Sequence, residues 1–154
     1  MNKRILITGG TGFIGSKWLD GLLVEGHEII LLTQRPKAIP QRWQGKLTAV
    51  SEVSDIKLSN VGVESAGSDW VINLAGEGIA DARWTAKRKH AVRDSRVALT
   101  ELLVRWADST NQQFEAVLSG SAVGYYGSVD GVRPTFSETS GAGTDFSASL
   151  CIDW

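Results

Sequence analysis

The chain opens with a short apolar run, KRILIT at residues 3–8, that is rich in β-branched side chains and stops at glycine. A run of this kind bounded by a turn predicts a strand. Over residues 13–25 the period changes, and Ile14, Trp18, Leu19, Leu22 and Leu23 fall on one side of a helix. Gly26 is a suitable C-terminal stop. Residues 28–33 (EIILLT) predict a second strand, and Pro36 and Pro40 a loop after it. The pattern is weakest over residues 43–67, where a strand is expected at 47–50 and a short helix near 58–66. Residues 69–74 predict a strand. A single long helix is expected over 84–108, with Thr85 as its N-cap and Val92, Leu99, Leu102, Leu103 and Trp106 at helical spacing. Residues 114–119 predict another strand. A loop rich in glycine and serine follows, and 145–154 reads as the opening of a helix.

This alternation predicts an α/β fold, a doubly wound parallel sheet of the Rossmann kind with strand order 3-2-1-4-5. One domain is expected over residues 1–154. No helix-stop signal precedes Trp154, so the sheet is expected to be truncated, without its later strands.

Composition narrows the partners. With 42% apolar and 21% charged residues the chain is ordinary for a globular protein. A formal net charge of -1 gives no field to attract nucleic acid or an anionic membrane. No stretch resembles a signal peptide or approaches the roughly 20 apolar residues of a membrane span. A cytoplasmic location is the expectation. The lone cysteine, Cys151, excludes an internal disulfide and is expected to be buried in a helix. The six tryptophans are scattered, as core or interface anchors are. His27 and His90 lie far apart without ligand partners, so no metal site is expected.

Candidate chemistry begins at Gly9-Gly10-Thr11-Gly12-Phe13-Ile14-Gly15. Gly10, Gly12 and Gly15 fit G-x-G-x-x-G; Gly9, Gly12 and Gly15 fit G-x-x-G-x-x-G. In either spacing one glycine permits the strand-to-helix turn, one admits a pyrophosphate to the backbone, and one lets the helix pack closely. The helix N-terminus then presents free N–H groups and a positive dipole end to the anion. A strand before and a helix after are the context that a dinucleotide site needs. At the end of the second strand no Asp or Glu stands ready for the ribose hydroxyls; Arg35 and Lys37 are there instead. An arginine there suits a 2′-phosphate, which favours NADP(H) over NAD(H). Two solvated loop charges are the other reading.

From these residues onward the chain resembles the short-chain dehydrogenases/reductases in their extended, epimerase-like form. Residues 8–15 look like the opening of that superfamily. Asn73-Leu74-Ala75-Gly76 resembles its N-x-A-G segment, which implies that Leu74, Ala75 and Gly76 lie against the cofactor. Arg83-Trp84-Thr85, Ser95-Arg96 with Thr100, Ser121-Ala122-Val123-Gly124-Tyr125-Tyr126-Gly127, and Asp145-Phe146 with Cys151 and Trp154 resemble one atypical subfamily. Its members are called nucleoside-diphosphate-sugar epimerases, or carry an older cell-division-inhibitor label. The resemblance implies a nicotinamide dinucleotide, a sugar-nucleotide or other small-molecule substrate, and a substrate-binding region beyond residue 154.

It also locates a departure. Ordinary members place a Ser or Thr after the fifth strand and a Tyr-x-x-x-Lys on the next helix. The hydroxyl polarises the substrate oxygen and the Tyr handles its proton. Ser121 fits the hydroxyl position, with Ser119 as a rival. Where Tyr and Lys belong, this chain has Phe146 and Leu150, and neither exchanges a proton. Tyr125 and Tyr126, on the loop beside Ser121, are the remaining candidates; core packing or cofactor stacking is their other reading. Two functions stay open: an NADP(H)-dependent epimerase or oxidoreductase with a displaced acid/base, and a non-catalytic NADP(H)-binding protein.

Several residues read as structural. The basic run Lys87-Arg88-Lys89-His90 is expected as a solvated helix face. By resemblance Ser95 and Thr100 support the site from the long helix. Glu52 and Asp55, which follow the third strand, are instead candidates to accept a hydrogen bond from an adenine amino group.

Overall fold

The structure, a computed structural model, describes residues 2–56, 69–128, 131 and 134–154. Five strands, β1 (Arg4–Thr8), β2 (Glu28–Leu32), β3 (Thr48–Val50), β4 (Asp69–Asn73) and β5 (Phe114–Ser119), form one sheet in the order β3-β2-β1-β4-β5. Every pairing is parallel. The helices are α1 (Phe13–Val24), α2 (Ala86–Asp94), α3 (Val97–Ser109) and α4 (Phe146–Asp153). The expected strand order is observed, and the arrangement is Rossmann-like. The helix expected near 58–66 lies outside the described residues.

β1 lies mid-sheet, and Ile5, Leu6 and Ile7 are all fully buried. A strand covered on both faces needs apolar residues at every position, which is why it reads as a run and not as an alternation. Ile5, Ile7, Ile29, Leu31 and Ile72 from three strands meet Leu19 and Leu22 of α1 and Trp43 in one cluster. Trp43 ends a 3-10 turn, Gln41–Trp43, and its indole N–H donates to Asp20 of α1 at 2.6 Å. Hydrogen bonds from Arg42 and then Trp43 hold the Asp20 carboxyl below its ordinary value.

Two expectations about helices are corrected. The single helix over 84–108 is two, α2 and α3. Val92 carbonyl oxygen accepts from the Ser95 hydroxyl at 2.8 Å and from the Arg96 guanidinium at 3.1 Å, while the Arg96 amide turns to the Arg93 oxygen at 3.0 Å. Side chains that take a backbone acceptor compete with the helix ladder, and the ladder breaks there. The apolar side expected of α1 is also narrower. Leu19 and Leu22 are buried, but Ile14 is 65% and Trp18 38% exposed.

The chain divides into two compact units. Met1–Gly76 with Glu101–Ser119 carries the whole sheet, and Glu77–Thr100 with Gly120–Trp154 carries α2 and α4. Among the described residues no helix is long and apolar enough to cross a membrane. Nor do three or more His, Cys, Asp or Glu among them gather as a metal site.

Candidate functional site

In the sheet-bearing unit, the turn from β1 into α1 is made of backbone. Gly9 has φ +67, a conformation costly to any residue with a side chain. A Cβ there would stand 2.5 Å from the Leu74 carbonyl carbon and 2.7 Å from the Ala75 nitrogen. At Gly15 a Cβ would collide with the Gly9 carbonyl oxygen, so a glycine is needed to bring α1 this close. A Cβ at Gly10 would press on Leu31 and Leu19 side chains. Gly12 differs. Its φ is -78, and a Cβ would meet only the Gly9 oxygen, at 3.2 Å.

Gly12 is also the N-cap of α1, and no side chain caps the helix. The Gly12 N–H turns back to the Gly9 oxygen at 2.9 Å. The next amides, of Phe13 and Ile14, begin the helix and so have no acceptor within it. Thr11, Gly12, Phe13 and Ile14 are all exposed, Phe13 to 92%. The arrangement offers a bare, positively polarised helix end with room for an anion.

A buried polar clip fixes the neighbouring segment. Thr8 ends β1 opposite Asn73, which ends β4. The Thr8 hydroxyl donates to Asn73 Oδ1 at 2.7 Å and accepts from the Ala75 amide at 3.1 Å. The Leu74 amide donates to the Thr8 carbonyl at 3.2 Å. Residues 74–76 are thereby tied beside the glycine turn, between strands whose order reverses at β1. Ligands of open α/β sheets bind at such a reversal, outside the carboxyl ends of the strands. Thr8 was missed in the sequence because a threonine closing a strand is ordinary β-branched material.

Arg35 and Lys37 lie after β2 with exposed side chains. Arg35 precedes a 3-10 turn, Pro36–Ala38. Glu52 and Asp55 are exposed at the turn after β3.

In the second unit, the segment 120–127 packs on α4. Ser121 is exposed; Tyr125 and Tyr126 are half-buried and meet edge to face at 5.3 Å. They lie on a 3-10 turn, Val123–Tyr126, with Gly124 against Ser147. The tyrosines are unequal. Tyr126 stacks on Phe136 at 4.7 Å and donates its hydroxyl to the Ser137 carbonyl at 3.0 Å. Among the described residues the Tyr125 hydroxyl has no hydrogen-bond partner. Asp145 caps α4 by accepting from the Ala148 amide at 2.9 Å and also accepts from the Ser128 amide at 2.9 Å. These backbone bonds, Ala148's first, hold its carboxyl below the ordinary range.

Phe146 and Leu150 occupy the first and fifth positions of α4, and Leu150 is buried. Cys151 is half-buried rather than buried, because its helix leaves that side partly open; its thiol lies 3.7 Å from the Ala122 carbonyl. The Ser95 hydroxyl accepts from the Glu77 amide at 2.9 Å, so the end of α2 is tied to residue 77 in the same unit.

The family model described as the NAD dependent epimerase/dehydratase family matches residues 5–149. An epimerase family protein of Mycobacterium bovis is 32% identical over 153 residues, which is 99% of this chain and 47% of that protein. Among solved structures, human epimerase family protein SDR39U1 (isoform 2) with NADPH superposes with a TM-score of 0.71 at 29% identity, over 98% of this chain and 47% of that one. The nucleoside-diphosphate sugar epimerase from Corynebacterium glutamicum gives 0.69 at 29% identity, over 100% of this chain and 30% of that one. The chain thus spans about half the length, or less, of these relatives.

Proposed function

Since the chain belongs to the NAD dependent epimerase/dehydratase family, we propose that it is the dinucleotide-binding portion of an atypical short-chain dehydrogenase/reductase, selective for NADP(H). The observation that carries this reading is Gly12. Gly9 and Gly15 are explained by severe collisions within the chain, whereas Gly12 has an ordinary φ and a Cβ there would meet only the Gly9 oxygen, at 3.2 Å. A glycine with so small an internal demand, exposed at the tip of an uncapped helix, fits a ligand that approaches the backbone from outside.

Gly9, Gly10, Thr11, Gly12, Phe13, Ile14 and Gly15 would hold the pyrophosphate. Leu74, Ala75 and Gly76, fixed by Thr8, would support the adjoining part of the cofactor. The exposed guanidinium of Arg35 would take the 2′-phosphate through charge-assisted bonds. When bound, the nicotinamide supplies a hydride donor or acceptor. Of the chain's own groups, the Ser121 hydroxyl polarises the substrate oxygen and Tyr125 handles its proton. Tyr125 is preferred to Tyr126 because Tyr126 already donates to Ser137. An oxidoreductase or a sugar-nucleotide epimerase of this kind needs the substrate-binding region that the longer relatives have room for.

A calorimetric titration with NADP⁺ and NAD⁺, repeated on Arg35→Ala, tests the cofactor. Tighter binding of NADP⁺ that falls to the NAD⁺ level in the variant is expected. Equal affinity in the unmodified protein would remove the selectivity claim, and no binding of either would remove the reading. A second reading, cofactor binding without turnover, is favoured by Phe146 and Leu150 at the positions of the usual Tyr and Lys. Turnover that survives the combined Ser121→Ala, Tyr125→Phe and Tyr126→Phe change would sink the assigned roles.

A further inference from the structure

The basic run at residues 87–90 is not a uniform solvated face. Lys87 and His90 are exposed, but Arg88 and Lys89 are half-buried. Arg88 is engaged with the Glu77 carboxylate at 2.9 Å and with the Gly78 carbonyl. His90 faces Asp94 at 2.7 Å. Lys89 alone of the four is drawn toward an aromatic ring, with its ammonium 5.1 Å from the centre of Phe146. It forms no ion pair among the described residues.

Trp84 completes the group. Its ring meets Phe146 edge to face, 5.5 Å between centres at 75°. Its indole N–H is spent on the Ile79 carbonyl at 2.7 Å, which fixes the ring. Yet 44% of Trp84 remains exposed. An indole whose only donor is already satisfied offers a flat apolar plane and nothing polar. Lys89 is half-buried as a residue, and the face of one ring compensates its unpaired charge only in part.

We propose that Trp84, Lys89 and Phe146 form a subsite for a flat, conjugated ligand that carries an anionic oxygen group. The ring of the ligand stacks on Trp84, and its negative group meets the Lys89 ammonium. Phe146 holds the ammonium in place and keeps the Trp84 plane upright. Phe146 also stands where ordinary relatives carry the acid/base tyrosine, so the subsite falls on the residue by which this chain departs from them. Its assignment to substrate rests on the function proposed above; the binding rests on these three residues alone.

Three probes separate ring from charge: benzoate, benzamide and acetate. Each is titrated into the 154-residue chain while the Trp84 indole N–H resonance is followed by NMR, assigned by its loss in Trp84→Phe. Benzoate should bind about fivefold more tightly than benzamide, the scale of one partly exposed ion pair, and more tightly than acetate. Lys89→Met should erase the preference for benzoate over benzamide, and Lys89→Arg should keep it. Equal affinity for benzoate and benzamide, no benzoate binding, or a preference that survives Lys89→Met would each overturn the proposal. NADP⁺ titrated into the same sample separates the two readings: intact NADP⁺ binding without a benzoate preference sinks the subsite and leaves the dinucleotide site standing.

Discussion

The turn after β1 and the loop after β5 both leave the carboxyl end of a parallel strand, but they are made of different material. The first is a backbone object. Its shape depends on what Gly9 and Gly15 lack, and the polar groups it presents are main-chain amides. The second is held largely by side chains, in which Asp145 reaches two amides, Tyr126 reaches Ser137, and Gly124 packs under Ser147, around one close backbone approach of Gly127 to Gly143. Steric necessity shapes the one throughout; in the other it is confined to the close approach of Gly127 and Gly143, and individually modest bonds do the rest. Substitutions should therefore act sharply in the first and, at the side chains of the second, gradually.

The largest effect expected is at Gly9. Gly9→Ala combines a positive φ with a backbone collision and should lose about 3 kcal/mol in urea denaturation. Gly12→Ala, three residues on, should lose about 1 kcal/mol or less while NADP⁺ affinity drops at least about tenfold, since its methyl group would stand where the anion must approach. Equal destabilisation at both positions would dissolve the distinction between structural and ligand-facing glycines. Next comes the clip. Thr8→Val removes the hydroxyl that both donates to Asn73 and accepts from the Ala75 amide, and should cost about 2 kcal/mol by the same assay. In the loop after β5, Tyr126→Phe should cost about 0.5–1 kcal/mol for its single exposed bond, and Tyr125→Phe should leave the thermal midpoint unchanged. The reverse ranking would exchange the roles of the two tyrosines.

The smallest effect is one of pH. Asp145 has a folded pKa below the ordinary 3.8, so the charged form is favoured by folding. Its contribution is complete above the unfolded value and is lost as pH falls through the lower folded one. Thermal midpoints should thus decline below about pH 4, and Asp145→Asn should flatten that part of the profile. An unchanged profile in the variant would show that the cap bonds do not depend on charge.

The same contrast explains what could be read from residues alone. β1, α1 and β2 were legible because each buried strand is a continuous apolar run and each turn demands glycine. The strand Phe114–Ser119 and the Thr85 cap were legible for similarly local reasons. The break at Ser95 and Arg96 was not, because it comes from side chains taking the Val92 carbonyl, and one of them also holds the Glu77 amide. Trp43 was legible only by type, as one of six scattered tryptophans expected to anchor a core or an interface; its place was not, since it is buried from within a 3-10 turn whose sequence has no period. In the second unit the residue types Ser121, Tyr125 and Tyr126 were visible, but the bond that sets the tyrosines apart joins residues 11 positions distant. Lys89 looked like one charge among four for the same reason: its neighbour Phe146 is remote in sequence.

The openness around Gly12 has a consequence for descent. A lineage that stopped holding a dinucleotide would feel little pressure from its own packing to keep a glycine there, while Gly9 and Gly15 would stay under far stronger constraint for as long as the sheet folds. Erosion at this one position, with its two partners intact, would be the mark left on a relative that kept the architecture and abandoned the ligand.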